Sequence, residues 1–191
     1  MILNENYDFN REAPKEVKDA FKFPPSRVRL QTGQKLCRIL TPVGIDQARN
    51  RSRIHNLESD PNEVGYWWMT RKTFSQFASM SGRRGVGLSE VVRAKEAIPL
   101  EYSSAMNALF IIQLKREVYA FQGLAAPQPR SIKDRTVMLI GNAEQVWIPR
   151  LSWDDVFVVR FLNSFQPINL ADLSPNLTVT LGDILRAQKG R

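Results

Sequence analysis

The second half of the chain is what most limits the folds open to this sequence. Four short segments there, Phe110–Leu114, Val118–Phe121, Thr136–Ile140 and Gln145–Ile148, are rich in β-branched and aromatic residues. Polar, glycine- or proline-containing stretches separate them, which is how strands joined by turns read. An earlier apolar run, Leu36–Leu40, ends at Thr41-Pro42 and reads as one more strand, with Arg38 interrupting it. Between these lie segments of helical period. Ala13–Phe21 has a proline near its start and sets Val17, Ala20 and Phe21 on one face. Thr70 is placed to cap a helix in which Phe74, Phe77 and Met80 share a face. Ser89 is placed to cap another running through Ala97, and Ser103–Leu109 reads as a third helical piece. One strand, several helices and then a run of strands predicts an α+β fold: N-terminal helices with a mostly antiparallel or mixed sheet built largely from the second half of the chain.

Residues 1–34 read as an N-terminal arm with a short helix that Pro24-Pro25 stops, and 35–191 as a single α+β domain. Ser81–Gly87 reads as a mobile basic loop and Pro127-Gln128-Pro129 as a loop. The final stretch predicts an aromatic segment, a polar loop and a helix capped by Thr180 and anchored by Ile184 and Leu185. With 191 residues and 43% hydrophobic content there is enough apolar surface for a core. No run approaches the roughly 20 apolar residues of a membrane helix, and the first residues lack a charged-then-apolar signal. The expected location is cytoplasmic, or the cytoplasm of a target cell.

Chemistry is narrowed by scarcity. The chain holds one cysteine, Cys37, and one histidine, His55, so no internal disulfide forms and no four-ligand Cys/His zinc site can be assembled. Cys37 lies in an apolar run, which predicts a buried, inert thiol. His55 reads as a surface residue. No Walker loop and no Gly-x-Ser-x-Gly elbow is present. The net charge of +8 favours an anionic partner: a phosphorylated cofactor, a nucleic acid or an acidic protein. Arg49, Arg51 and Arg53 share a face if their segment is extended and would then meet phosphates. Tyr66-Trp67-Trp68 offers flat faces for ring stacking, although on a strand Trp67 points away from the other two.

Three segments together resemble the ADP-ribosyltransferase fold of bacterial toxins and NAD glycohydrolases. Lys35-Leu36-Cys37-Arg38-Ile39-Leu40 is similar to the opening strand of that family, which carries an arginine for the cofactor phosphates. Tyr119–Gln128 is similar to the strand and loop before the last catalytic element. Gly141-Asn142-Ala143-Glu144-Gln145-Val146-Trp147-Ile148-Pro149 resembles the late strand whose first residue is the catalytic Glu or Gln. The resemblance implies NAD as substrate, no metal, and an NAD-consuming toxin or effector acting by hydrolysis or ADP-ribosyl transfer. It assigns Arg38 to the phosphates, Gln145 to the ribose, and Tyr66 or Trp68 to the nicotinamide ring. Glu144 is adjacent to Gln145 and faces the other way on a strand, so which of the two meets the site stays open. No second acid follows Gln145 at the Glu-x-Glu spacing, which disfavours transfer to a protein arginine. An acidic immunity or antitoxin protein is the implied partner. The alternative function is a non-enzymatic, basic nucleic-acid-binding protein of phage or plasmid type. A structural protein engaging a partner through its basic arm and tail is a third reading.

Overall fold

A computed structural model describes residues 2–40, 64–97, 108–132 and 135–162. In chain order the elements are α1 (Phe9–Glu12), α2 (Lys15–Asp19), β1 (Ser26–Leu30), β2 (Lys35–Leu40), β3 (Trp67–Thr70), α3 (Arg71–Arg84) and α4 (Leu88–Lys95). They are followed by β4 (Ala108–Leu114), β5 (Val118–Leu124), β6 (Gln128–Ile132), β7 (Arg135–Leu139), β8 (Glu144–Trp147), a 3-10 turn at Trp153–Asp155, and β9 (Val156–Leu162). The fold is α+β. Seven strands form one sheet in the order β1-β5-β8-β3-β2-β4-β9, every neighbouring pair antiparallel, while β6 and β7 make a separate hairpin. Four of those seven strands come from the second half of the chain, as the pattern of apolar segments predicts.

Alternation along the strands builds two faces. Cys37 and Ile39 of β2 join Leu109 and Ile111 of β4 under Phe74, Phe77 and Val92 of α3 and α4. On the other face Leu36, Trp68, Phe110, Ile112 and Val146 pack with Val64, Ile148 and Leu151. The helix-covered face continues into an aromatic cluster beneath the N-terminal arm, where Phe21, Phe121 and Trp147 are buried and Tyr7, Phe9 and Trp67 lean on them. Phe9 lies 4.8 Å from Phe121 and 5.8 Å from Trp147, within the range of favourable ring pairing.

Local chemistry explains the element ends. Thr70 caps α3 as expected, its hydroxyl accepting from the Thr73 N–H at 3.2 Å. The helix then runs through Arg84, so Ser81–Arg84 is helical rather than loop. Gly85, at φ 61°, takes the left-handed position that ends it, and the Ser81 hydroxyl donates to the Val86 carbonyl at 2.5 Å. Gly87, not Ser89, occupies the position before α4, and that helix stops at Lys95. Gln128 opens β6, so the expected proline-flanked loop is partly strand. Ala108 and Leu109 lie in β4, not in a helix, and residues 103–107 of that expectation fall outside the described residues. The helix expected after Thr180 also lies outside them. Strand β1, Ser-Arg-Val-Arg-Leu, was not anticipated. It forms an edge, with Arg27 stacked 3.8 Å over the Tyr119 ring and Arg29 bonded to Glu117 at 2.5 Å.

Candidate functional site

The sheet forks at its centre. β2 and β3 pair at only two positions, Leu36 with Thr70 and Cys37 with Met69. Beyond these, Arg38, Ile39 and Leu40 pair with β4 alone, while Trp67 and Trp68 pair with Trp147 and Val146 of β8. Arg38 is the first residue of β2 past the last shared rung. Its cross-strand partner is Phe110, whose ring packs 5.7 Å from that of Trp68, which sets Arg38 on the face opposite the helices.

Arg38 is half-buried and Gly65 lies against it. Gly65 has φ 106°, and a Cβ there would overlap Arg38 Nη1. The positive φ favours glycine at this position, and a side chain there would also displace the Arg38 guanidinium. The Gly65 carbonyl in turn accepts from the Trp68 indole at 2.9 Å, holding the segment against the fork. Burial lowers the Arg38 pKa below the usual arginine value, with Glu96 pulling it back up. Glu96 follows the last turn of α4. Burial pushes its carboxyl up to about 8, with Arg38 opposing the rise. In each case desolvation is the larger cause and the other residue's charge opposes it.

β8 begins at Glu144. The chain entering it is stitched on two sides: the Gly141 and Ala143 N–H groups donate to the Ala94 and Lys95 carbonyls at the end of α4, at 3.0 and 3.1 Å. The Ala125 N–H donates to the Ala143 carbonyl, and the Ala125 carbonyl accepts from the Asn142 N–H, at 2.8 and 2.9 Å. Gly141, at φ 65°, passes so close to the Ala125 and Ala126 carbonyls that a side chain would collide with them. Lys22 Nζ donates to Asn142 Oδ1 at 2.8 Å.

Alternation then separates the two residues that the sequence left open. Val146 packs in the cluster of Trp68 and Phe110, whereas Trp147 packs in that of the arm. Glu144 shares the face of Val146 and Arg38; Gln145 shares that of Trp147. Gln145 is 7% exposed, and its amide donates to the Ala20 carbonyl at the end of α2 at 3.0 Å. Glu144 and Arg38 thus share one face, on strands that flank β3, with Glu144 level with Thr70 and Leu36 and Arg38 level with Trp68 and Val146, past the last β2–β3 rung. Gln145 is not on that face. The physical reason is register: moving one residue along a strand exchanges faces.

The aromatic candidates divide as well. Trp68 is 2% exposed, and its indole N–H is already bonded, so it is a core residue. Tyr66 is half-buried just before β3, its ring 6.4 Å from Trp147. An open depression of about 410 Å³ lies elsewhere, between Tyr7, Asn10, Pro25 and Arg27 of the arm, away from Arg38. Cys37 is fully buried, and burial pushes its thiol up to about 12, as expected of an inert sulfur. Among the described residues no three His, Cys, Asp or Glu side chains converge as metal ligands, and no helix there is long and apolar enough to cross a membrane. Arg49, Arg51, Arg53 and His55 lie outside the described residues.

Two residues of this region carried no readable signal. Glu96 sits in Ala-Lys-Glu-Ala at a helix end, where a charge normally reads as solvated. Gly65 sits between Val64 and Tyr66, where only the fold reveals the positive φ.

No family model and no curated protein matches this sequence. Among solved structures, that of Tne2 in complex with Tni2 overlays on 71% of this chain and 87% of that one, at a TM-score of 0.42 and 10% sequence identity. The functional reading therefore rests on this chain's own residues.

Proposed function

We propose that this chain is an NAD-consuming toxin or effector domain that breaks the nicotinamide–ribose bond, by hydrolysis or by ADP-ribosyl transfer. The observation that supports it most is the first residue of β8. The resemblance calls for a Glu or Gln at the start of that strand, and Glu144 stands there, on the face of Arg38. Glu144 takes the role first given to Gln145.

As the bond breaks, its electron pair leaves with the nicotinamide nitrogen and positive charge develops on the ribose. The Glu144 carboxylate orients the ribose hydroxyls and stabilises that charge. Arg38 holds the pyrophosphate through its planar fork of N–H donors. Tyr66 supplies the face for the nicotinamide ring. Nicotinamide departs as a neutral molecule and needs no acid, so the scarcity of histidine is no obstacle. Water then attacks the ribose carbon and loses its proton, or an acceptor group takes the place of water. An acidic immunity protein fits the net charge of +8 as partner.

Release of nicotinamide from NAD by the purified protein tests the reading. It requires release by the wild type and its loss in Arg38→Ala and Glu144→Gln. No release from any acceptor mixture sinks it, and steep salt-dependent binding to DNA or RNA in its place establishes the nucleic-acid reading.

A further inference from the structure

Glu144 has an apolar neighbour on its β5 side. Leu124 is its cross-strand partner. On the next rung the Ala125 N–H bonds the Ala143 carbonyl, so Leu124 and Glu144 form a pair without backbone bonds to each other, the kind in which side chains approach closest. The Leu124 carbonyl turns the other way and accepts from the Lys22 N–H at 2.9 Å. Gly123, one residue earlier, shows which face each takes: a Cβ on Gly123 would collide with the Phe21 ring of the arm. Leu124 therefore stands on the face of Glu144, Val146 and Arg38. It is 40% exposed, whereas Val146, Trp68 and Leu36 on that face are buried. The exposure has a cause in the topology. β1 begins at Ser26, opposite Gln122, and stops short of the level of Leu124. The chain that passes there is Phe21-Lys22, with the Phe21 ring on the other face.

We infer that Leu124 is a specificity-determining residue: it forms the apolar wall on the acceptor side of the reacting ribose carbon and favours an acceptor whose nucleophilic oxygen is carried on carbon over water. The inference rests on the reading of Glu144 as the ribose-binding residue and Arg38 as the phosphate-binding one. Arg38 lies two strands from Glu144, across β3, and Leu124 lies one strand away on the opposite side. A substrate with its phosphates at Arg38 and its ribose at Glu144 leaves the β5 side to the groups that the ribose carbon exchanges. In that exchange the carbon–nitrogen bond breaks and its electron pair leaves on nicotinamide. An acceptor oxygen then bonds to the carbon and loses its proton to solvent. The Leu124 side chain offers an entering water no hydrogen bond. A carbon substituent next to the acceptor oxygen gains by leaving water to rest on that side chain.

The test is the ratio of O-methyl ADP-ribose to ADP-ribose formed when the full chain turns over NAD in water containing methanol, the products being separated by chromatography. Leu124→Asn is expected to lower that ratio about four-fold from the wild-type value, the preference that one methyl group gains on leaving water for apolar contact. Leu124→Ala is expected to lower it in the same direction without adding a polar group, and Leu124→Met to restore it. Phe157→Asn, which changes an exposed apolar residue on the edge strand β9, is the control and should leave the ratio at the wild-type value. Thermal melts of each variant establish that the protein compared is folded. Nicotinamide release with an unmoved ratio in both Leu124→Asn and Leu124→Ala, or an equal fall in Phe157→Asn, overturns this inference alone. Absence of nicotinamide release from the wild type at every methanol concentration overturns the NAD reading, and this inference with it.

Discussion

Glu144 and Gln145 are chain neighbours on one strand with opposite surroundings. Gln145 turns into the arm-covered face, among Trp147, Phe121 and Phe21, and spends its amide on a backbone carbonyl of α2. Glu144 turns to the face where β2 and β3 part and where Arg38 stands. The first face is built like an interior, with aromatic rings in edge and tilted contact. The second carries a core of its own, with Trp68, Phe110, Ile112 and Val146, and sets the partly desolvated Arg38 beside it. Both faces of β8 are packed, and on the proposed reading the ribose-binding group stands on the second of them.

The largest effect expected from breaking that division is on the interior side. Trp147→Ala removes the ring that Tyr7, Phe9, Tyr66 and Phe121 surround and should cost about 4 kcal/mol of unfolding free energy in denaturant titration. On the reactive side, Glu144→Gln should lower nicotinamide release by about 100-fold, roughly 2.7 kcal/mol of transition-state stabilisation, with the melting temperature unchanged. A result in which Glu144→Gln unfolds the protein and Trp147→Ala only slows it would invert the comparison.

Glu96 sharpens the comparison through pH. Its carboxyl rises from 4.5 to about 8 on folding, so the folded chain binds the extra proton. Stability should then fall as pH rises through that window and level off above it. Glu96→Gln should remove the slope and leave the variant more stable than the wild type by about 2 kcal/mol at pH 8.5, read from paired thermal and denaturant melts. The smallest effect belongs to Gln145→Ala, which loses one hydrogen bond: about 1 kcal/mol of stability and no change in kcat. A collapse of kcat in that variant would return the catalytic role to Gln145.

Most of the sheet was legible because its strands carry dense β-branched and aromatic runs. β1 was not, since Ser-Arg-Val-Arg-Leu buries only Leu30 fully and reads as a basic arm; it is a strand because β5 offers it a ladder edge. The end of α3 was misread for a related reason: Gly82 and the two arginines look like a loop, but the left-handed turn falls at Gly85. Arg38 stood out as the charge inside an apolar strand. The choice between Glu144 and Gln145 was not legible, because a strand's first residue decides its face and composition does not fix a boundary to one residue. Trp68 looked like a stacking surface because sequence shows an aromatic ring without showing what already covers it.

The stitching of Gly141 and Ala143 has a mechanical consequence. Three elements, the end of α4, the end of β5 and the start of β8, are tied within three residues by backbone bonds and a contact too tight for a methyl group. Such a joint is stiff in translation. Displacing α4 along its axis carries the Ala143 amide with it, and the Glu144 carboxyl is offset by a similar distance, with no intervening slack to absorb the motion. The positional tolerance of the Glu144 carboxyl is thus set by how firmly a helix is seated on the far face of the sheet.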